Sequence, residues 1–126
     1  MNLTLADGIF SKYIRLRDSV DGRVHCFICG KGMSIDEATA GHFIKRRHLA
    51  TRYDERNVHA LCSYCNGMEE CQPTVSDLHH QRMREKYGQQ VLDELYFRSR
   101  QPFKLTKADL KEIVKTYKTK IKKHGH

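Results

Sequence analysis

Four short stretches decide how this chain folds: C-F-I-C at Cys26–Cys29, A-G-H ending at His42, D-E-R-N ending at Asn57, and C-S-Y-C-N at Cys62–Asn66. The two CxxC pairs stand roughly thirty residues apart. Cys26, Cys29, Cys62 and Cys65 therefore offer four thiolates at the spacing of a tetrahedral structural zinc site. Such a site has no open coordination position, so its work is to hold a shape. The other use of CxxC, a redox pair, accompanies a βαβ pattern that this chain lacks. Cys71 is left over and takes no role. On this reading zinc shapes the segment, and His42, Asn57, Asn66 and Glu69 are what the shape presents.

Working outward, Ala38–Ile44 reads as a strand that carries His42 at its end, and Val58–Leu61 as a strand returning toward the metal. Between them lie the basic run Lys45-Arg46-Arg47-His48 and an irregular loop through Tyr53. Cys62 and Cys65 then fall at a strand-to-helix junction. That helix runs to about Cys71 and is stopped by Pro73, because the residue before a proline avoids helical angles. Arg23–Phe27 is short and β-like, and Gly30-Lys31-Gly32 lets the backbone fold back toward the sulfurs. Upstream, Leu3–Asp18 is an amphipathic helix with Leu5, Ile9, Phe10, Tyr13 and Leu16 on its apolar side, ended by the turn residues Ser19-Val20-Asp21-Gly22. Downstream, Ser76 is the candidate N-cap of a helix closed by Gly88, and Val91, Leu92, Leu95 and Tyr96 stripe a second helix that ends before Pro102. Thr106 and Asp109 read as a capping box for a last helix striped by Leu110, Ile113, Val114, Tyr117 and Ile121. The expected fold class is α+β in a single domain. Residues 1–21 give the N-terminal helix, 22–72 the zinc-stapled core and 73–126 a helical extension.

The totals agree with a stapled scaffold. Of 126 residues only 39% are hydrophobic and none is Trp, with a mean hydropathy of −0.69. A core that thin gains from a metal, since structural zinc contributes roughly 10–16 kcal/mol in finger peptides. Lys and Arg number 23 against 15 Asp and Glu, for a net charge of +8. That excess favours a polyanionic partner, or else leaves a merely soluble basic surface. No apolar run approaches the roughly 20 residues that cross a bilayer. The N-terminal residues lack the pattern of a signal peptide. Paired cysteines without an export signal suit zinc in a reducing compartment, so a cytoplasmic protein without membrane contact is expected.

The chemistry concentrates around the cysteines. On the helix after Cys62, Asn66, Glu69 and Glu70 stand at i, i+3 and i+4 and share a face. His42, at the end of the opposing strand, meets that face. An imidazole beside an amide oxygen and a carboxylate suits metal-assisted hydrolysis: the imidazole takes a proton from water, and the oxygens hold a hard cation against a phosphate. Lys45, Arg46, Arg47, Arg52 and Arg56 are the candidate contacts to a phosphate backbone, because the guanidinium fork matches phosphate oxygens. Lys111, Lys115, Lys118 and Lys122 form a ridge on the last helix. It is either a solvated face or a phosphate-tracking one.

Here the chain resembles the HNH, or ββα-metal, nucleases of the cysteine-stapled type, and more closely the NinG/Rap family of phage recombination endonucleases. The residues that carry the resemblance are Y-I-R-L-R-D at Tyr13–Asp18, C-F-I-C-G at Cys26–Gly30, A-G-H-F at Ala40–Phe43, R-Y-D-E-R-N-V-H at Arg52–His59 and C-S-Y-C-N at Cys62–Asn66. The resemblance implies a structure-selective endonuclease of a phage, acting inside the host cell on branched DNA such as Holliday junctions and D-loops. By position, His42 would be the general base and Asn57 the residue that pins the loop so that His42 is oriented. Asn66 would bind the catalytic Mg²⁺ or Mn²⁺, with Glu69 where a related junction resolvase carries a functional Glu. Many HNH enzymes place an Asp just before the first His. Here Gly41 stands there, so the second ligand falls to Glu69, Glu70, Asp54 or the substrate phosphate. Two rivals remain open: a non-catalytic zinc-ribbon DNA-binding protein, and an HNH endonuclease of general or homing type. Resolving a junction takes two cuts, which makes a homodimer attractive.

Overall fold

A computed structural model of the chain describes residues 3–124. The first helix, α1 (Thr4–Arg17), buries Ala6, Phe10, Tyr13 and Ile14; of the expected stripe Phe10 and Tyr13 are buried, Ile9 and Leu16 are half-buried, and Leu5 is exposed. Its partner is the last helix, α6 (Lys107–His124), which buries Leu110 and Tyr117. Phe10 meets Tyr117 edge-on with ring centroids 4.9 Å apart. Each such fully buried side chain stabilises by roughly 1.5–3 kcal/mol. The expected capping box opens α6: Asp109 N–H donates to Thr106 Oγ1 at 3.1 Å, and Thr106 N–H donates to Asp109 Oδ2 at 3.0 Å.

Two small antiparallel sheets lie between these helices in sequence. The first has β1 (Ser19–Val20), β2 (Arg23–His25) and β3 (Gly32–Ser34) in that order. Ser19 and Val20, read from sequence as turn, therefore pair with β2. The turn is only Asp21-Gly22, both with positive φ (52° and 76°), as a tight two-residue hairpin requires. The second sheet joins β4 (Thr39–His42) to β5 (Val58–Leu61), with Gly41 opposite His59 and His42 opposite Val58. The short helix α2 (Leu49–Arg52) lies in the loop between them, and α3 (Ser63–Met68) follows β5 at once. The order strand, long loop, strand, helix is as expected.

Strand β5 is buried along its whole length. Val58 packs with α1 and α6, while Ala60 and Leu61 pack around the cysteines. The end of α1 is stitched to it: the Arg17 guanidinium donates to the carbonyls of Glu55 and Val58, each at 2.8 Å, and Asp18 Oδ2 accepts from Ala60 N–H at 2.9 Å. The Y-I-R-L-R-D stretch thus serves the scaffold at Arg17 and Asp18.

One expectation is corrected. Pro73 does not stop a helix from Cys62; α3 ends at Met68, and Pro73 opens α4 (Pro73–Tyr87), with Gln72 rather than Ser76 at the cap. A proline is welcome in a first turn, where its missing N–H has no partner to lose. Gly88 (φ 87°) ends α4, and α5 (Gln89–Ser99) buries Leu92 and Leu95 against Met83 and Ile44. Residues 125 and 126 lie outside the described residues.

Candidate functional site

Cys26 and Cys29 bracket the turn between β2 and β3, where Gly30 takes φ +82° so that its N–H donates to the Cys26 carbonyl at 2.9 Å. Cys62 and Cys65 span the start of α3. The four sulfurs lie within 4.8 Å of one another, and Cys29 Sγ is 3.8 Å from Cys62 Sγ. A zinc ion with arms of about 2.3 Å sets the edges of its sulfur tetrahedron at about 3.8 Å, so the cluster is the right size. Burial pushes the Cys65 thiol up, and the neighbouring sulfurs push it further. At Cys26 burial acts the same way, but backbone N–H groups of Cys29, Cys62 and Ile28 outweigh it. Four thiolates this close are stable together only around a cation. Cys71 is exposed and outside the cluster.

His42 closes β4 beside this staple. Its Nε2 donates to the Arg52 carbonyl at 2.8 Å, which leaves Nδ1 as the free lone pair of the neutral ring. Burial lowers His42 to about 4; the bond to Arg52 opposes this, and the charges of Arg46 and Arg52 add to it. The ring is therefore neutral across the physiological range, with Nδ1 able to accept a proton but less basic than in a free imidazole. Asn57 is fully buried. Its Oδ1 accepts from Ile44 N–H at 2.8 Å, and its Nδ2 donates to the carbonyls of Ile44 at 2.9 Å and Thr51 at 3.1 Å. The amide thus ties both ends of the loop together, one residue short of the carbonyl that holds His42.

His42 opens onto a cleft of ≈ 360 Å³ that it shares with Lys45, Arg46, Asn66 and Glu70. Asn66 reaches across to β4: a Cβ at Gly41 would stand 3.1 Å from Asn66 Oδ1 and 2.2 Å from Leu61 Cδ1. A side chain at Gly41 would require the buried Leu61 side chain to move. Glu69, read as sharing a face with Asn66 and Glu70, turns the other way. Glu69, the C-cap of α3, folds inward to pair with Lys45, with its Oε1 3.6 Å from His79 Nδ1. Glu70, 71% exposed, takes the place on the cleft.

The cations expected to meet phosphate divide in the same way. Arg46 and Arg47 are exposed, as are Lys111, Lys115, Lys118 and Lys122 along α6. Arg52 instead spends its fork on Asp7, and Arg56 on Asp54 and Glu94. Asp54, held by both Arg56 and Arg98, is nine-tenths covered and does not line the cleft. His59 stacks on Phe27 and bonds Tyr87 Oη at 2.7 Å, a structural part. Sequence reasoning passed over Asp7 and Tyr53. A single acid on an amphipathic helix is normally solvated, and nothing local marks its partner 45 residues away.

Fold and site together define a class: a small α+β protein with a four-cysteine cluster built to hold a metal ion. Among the described residues no helix is long and apolar enough to cross a membrane. A family model described as Bacteriophage Lambda NinG protein matches residues 3–126. The chain belongs to that family. Searches of the curated proteins and of the solved structures each returned no match.

Proposed function

We propose that this phage protein is an endonuclease that cuts branched recombination intermediates of DNA, Holliday junctions and D-loops, by metal-assisted hydrolysis of a phosphodiester. The observation that carries the reading is one cleft lined by a neutral imidazole, an amide and a carboxylate, with Arg46 beside them. Membership of the phage family supports it, as does the resemblance of its cysteine and histidine stretches to HNH nucleases.

His42 takes a proton from the attacking water, at a nitrogen left free by the Arg52 carbonyl. Asn57 keeps the loop that supplies this carbonyl in place. Arg46 and Arg47 hold phosphate oxygens on either side of the scissile bond. Asn66 Oδ1 and the Glu70 carboxylate are the groups for Mg²⁺ or Mn²⁺, with water and substrate oxygens completing the shell. When bound, that ion supplies charge stabilisation for the leaving oxygen. Glu69 is reassigned from ligand to ion-pair partner of Lys45.

The test is Mg²⁺-dependent cleavage of a synthetic four-way junction, a flap and a plain duplex in parallel. The His42→Ala variant should bind the junction as the parent does and cut it about 10²- to 10⁴-fold more slowly. Equal cutting by the two proteins sinks the assignment, and equal cutting of all three substrates sinks the branched specificity. A second reading, a non-catalytic zinc-stapled DNA-binding protein, is favoured by the cleft's single carboxylate. It expects no cleavage by either protein.

A further inference from the structure

Helix α1 lies outside the strand–loop–strand–helix segment, yet one of its side chains reaches the loop that orients His42. Asp7 accepts from both arms of the Arg52 guanidinium, Nε to Oδ1 at 3.0 Å and an Nη to Oδ2 at 2.5 Å. It also accepts from Tyr53 Oη at 2.7 Å. The remaining arm of Arg52 donates to the Arg46 carbonyl at 2.9 Å. Arg52 is thereby fixed at three points, and its own carbonyl is the acceptor for His42 Nε2.

The loop needs such a hold. Helix α2 has four residues and no side-chain cap, far below the length at which a helix sustains itself. Asn57 grips the loop from the core side through the Thr51 carbonyl, and Asp7 grips the next residue from the α1 side. We infer that Asp7 is a positioning residue for His42, acting through Arg52 to hold the imidazole in one orientation with Nε2 protonated. This rests on the nuclease reading only for its consequence in cleavage, since the orientation of the ring is a property of the protein alone. The alternative is that Asp7 merely stabilises the first turn of α1 as any acid there does. It has a different signature, because α1 would then lose stability with no change at His42. Asp7 is also unavailable as a metal ligand, its oxygens being occupied by Arg52 and Tyr53.

The experiment uses the full chain with zinc bound and ¹⁵N-labelled histidine. Imidazole nitrogen shifts are followed against pH in the parent, Asp7→Ala, Asp7→Asn and Asp7→Glu, with His42→Gln identifying the signal. The parent should show a single Nε2–H tautomer that resists protonation until well below the usual histidine range. In Asp7→Ala and Asp7→Asn the tautomers should mix and the midpoint should fall, since the Asp7 charge and the bond to the Arg52 carbonyl both raise it in the parent, while zinc content stays unchanged. Asp7→Glu should recover part of the parent behaviour. Junction cleavage should fall about 10- to 100-fold in kcat with little change in KM. Asp7→Asn keeps the size of the side chain and serves if the alanine variant does not fold. An unchanged His42 tautomer and midpoint in both variants overturns the inference, whatever happens to cleavage. A shifted tautomer in a protein that never cuts DNA upholds it while removing the nuclease reading.

Discussion

Two buried histidines and the half-buried His42 are held neutral, and the reason is local to each. His79 is fully buried, with neither ring nitrogen hydrogen-bonded among the described residues. Burial, helped by the Lys45 ammonium, lowers it to about 4; the nearby Glu69 carboxylate does not reverse this, because Lys45 already neutralises it. His42 sits at about 4 and His59 at about 2, both chiefly through burial. The unfolded chain binds these protons near the ordinary value of 6.5, so the unfolded state holds more protons than the folded one in the window below it. Stability is therefore complete above about pH 6.5 and declines as pH falls toward 4. We predict that the melting temperature drops between pH 7 and pH 5, and drops less in His79→Leu, which removes one titrating ring. Matching slopes for parent and variant would falsify this account of acid lability.

At the scale of elements, the staple and the helix pair have separate supports. Strands β2 and β3 and the start of α3 gather around the sulfurs, while α1 and α6 pack on each other through Phe10, Tyr13 and Tyr117. Zinc in finger peptides is worth roughly 10–16 kcal/mol, comparable with the whole net stability of an ordinary domain. Cys65→Ser is accordingly expected to lose native tertiary structure, seen as collapsed amide dispersion, with part of the α1–α6 helicity retained. Cys71→Ser, outside the cluster, should stay within about 0.5 kcal/mol of the parent. A Cys65→Ser protein melting where the parent melts would show that no metal supports the fold. The capping box at Thr106 and the stop at Gly88 were readable because each is settled within one helical turn. Pro73 was misread because a proline ends one helix and begins another with the same chemistry.

Over the whole molecule, the net charge of +8 overstates what faces a partner. Arg17, Arg52 and Arg56 spend their forks on Asp18, Asp7 and Asp54. If Arg46 contacts a phosphate, log Kd for a junction should vary with log salt, and Arg46→Gln should reduce that slope by about 0.9. Arg56→Gln should leave the slope unchanged and lower the unfolding midpoint instead. Equal slopes for the parent and Arg46→Gln would take Arg46 out of the interface. The sequence alone determined the four-cysteine cluster, the stripes of α5 and α6 and the strand–loop–strand–helix order around His42. Those features rest on spacings of a few residues, which the backbone converts directly into geometry. Only the tertiary structure decided that Glu70 rather than Glu69 faces the cleft, that a side chain at Gly41 would meet Leu61, and that Asp7 holds Arg52. A charged group binds whichever opposite charge the fold brings to it, and Asp7 and Arg52 stand 45 residues apart until the chain closes.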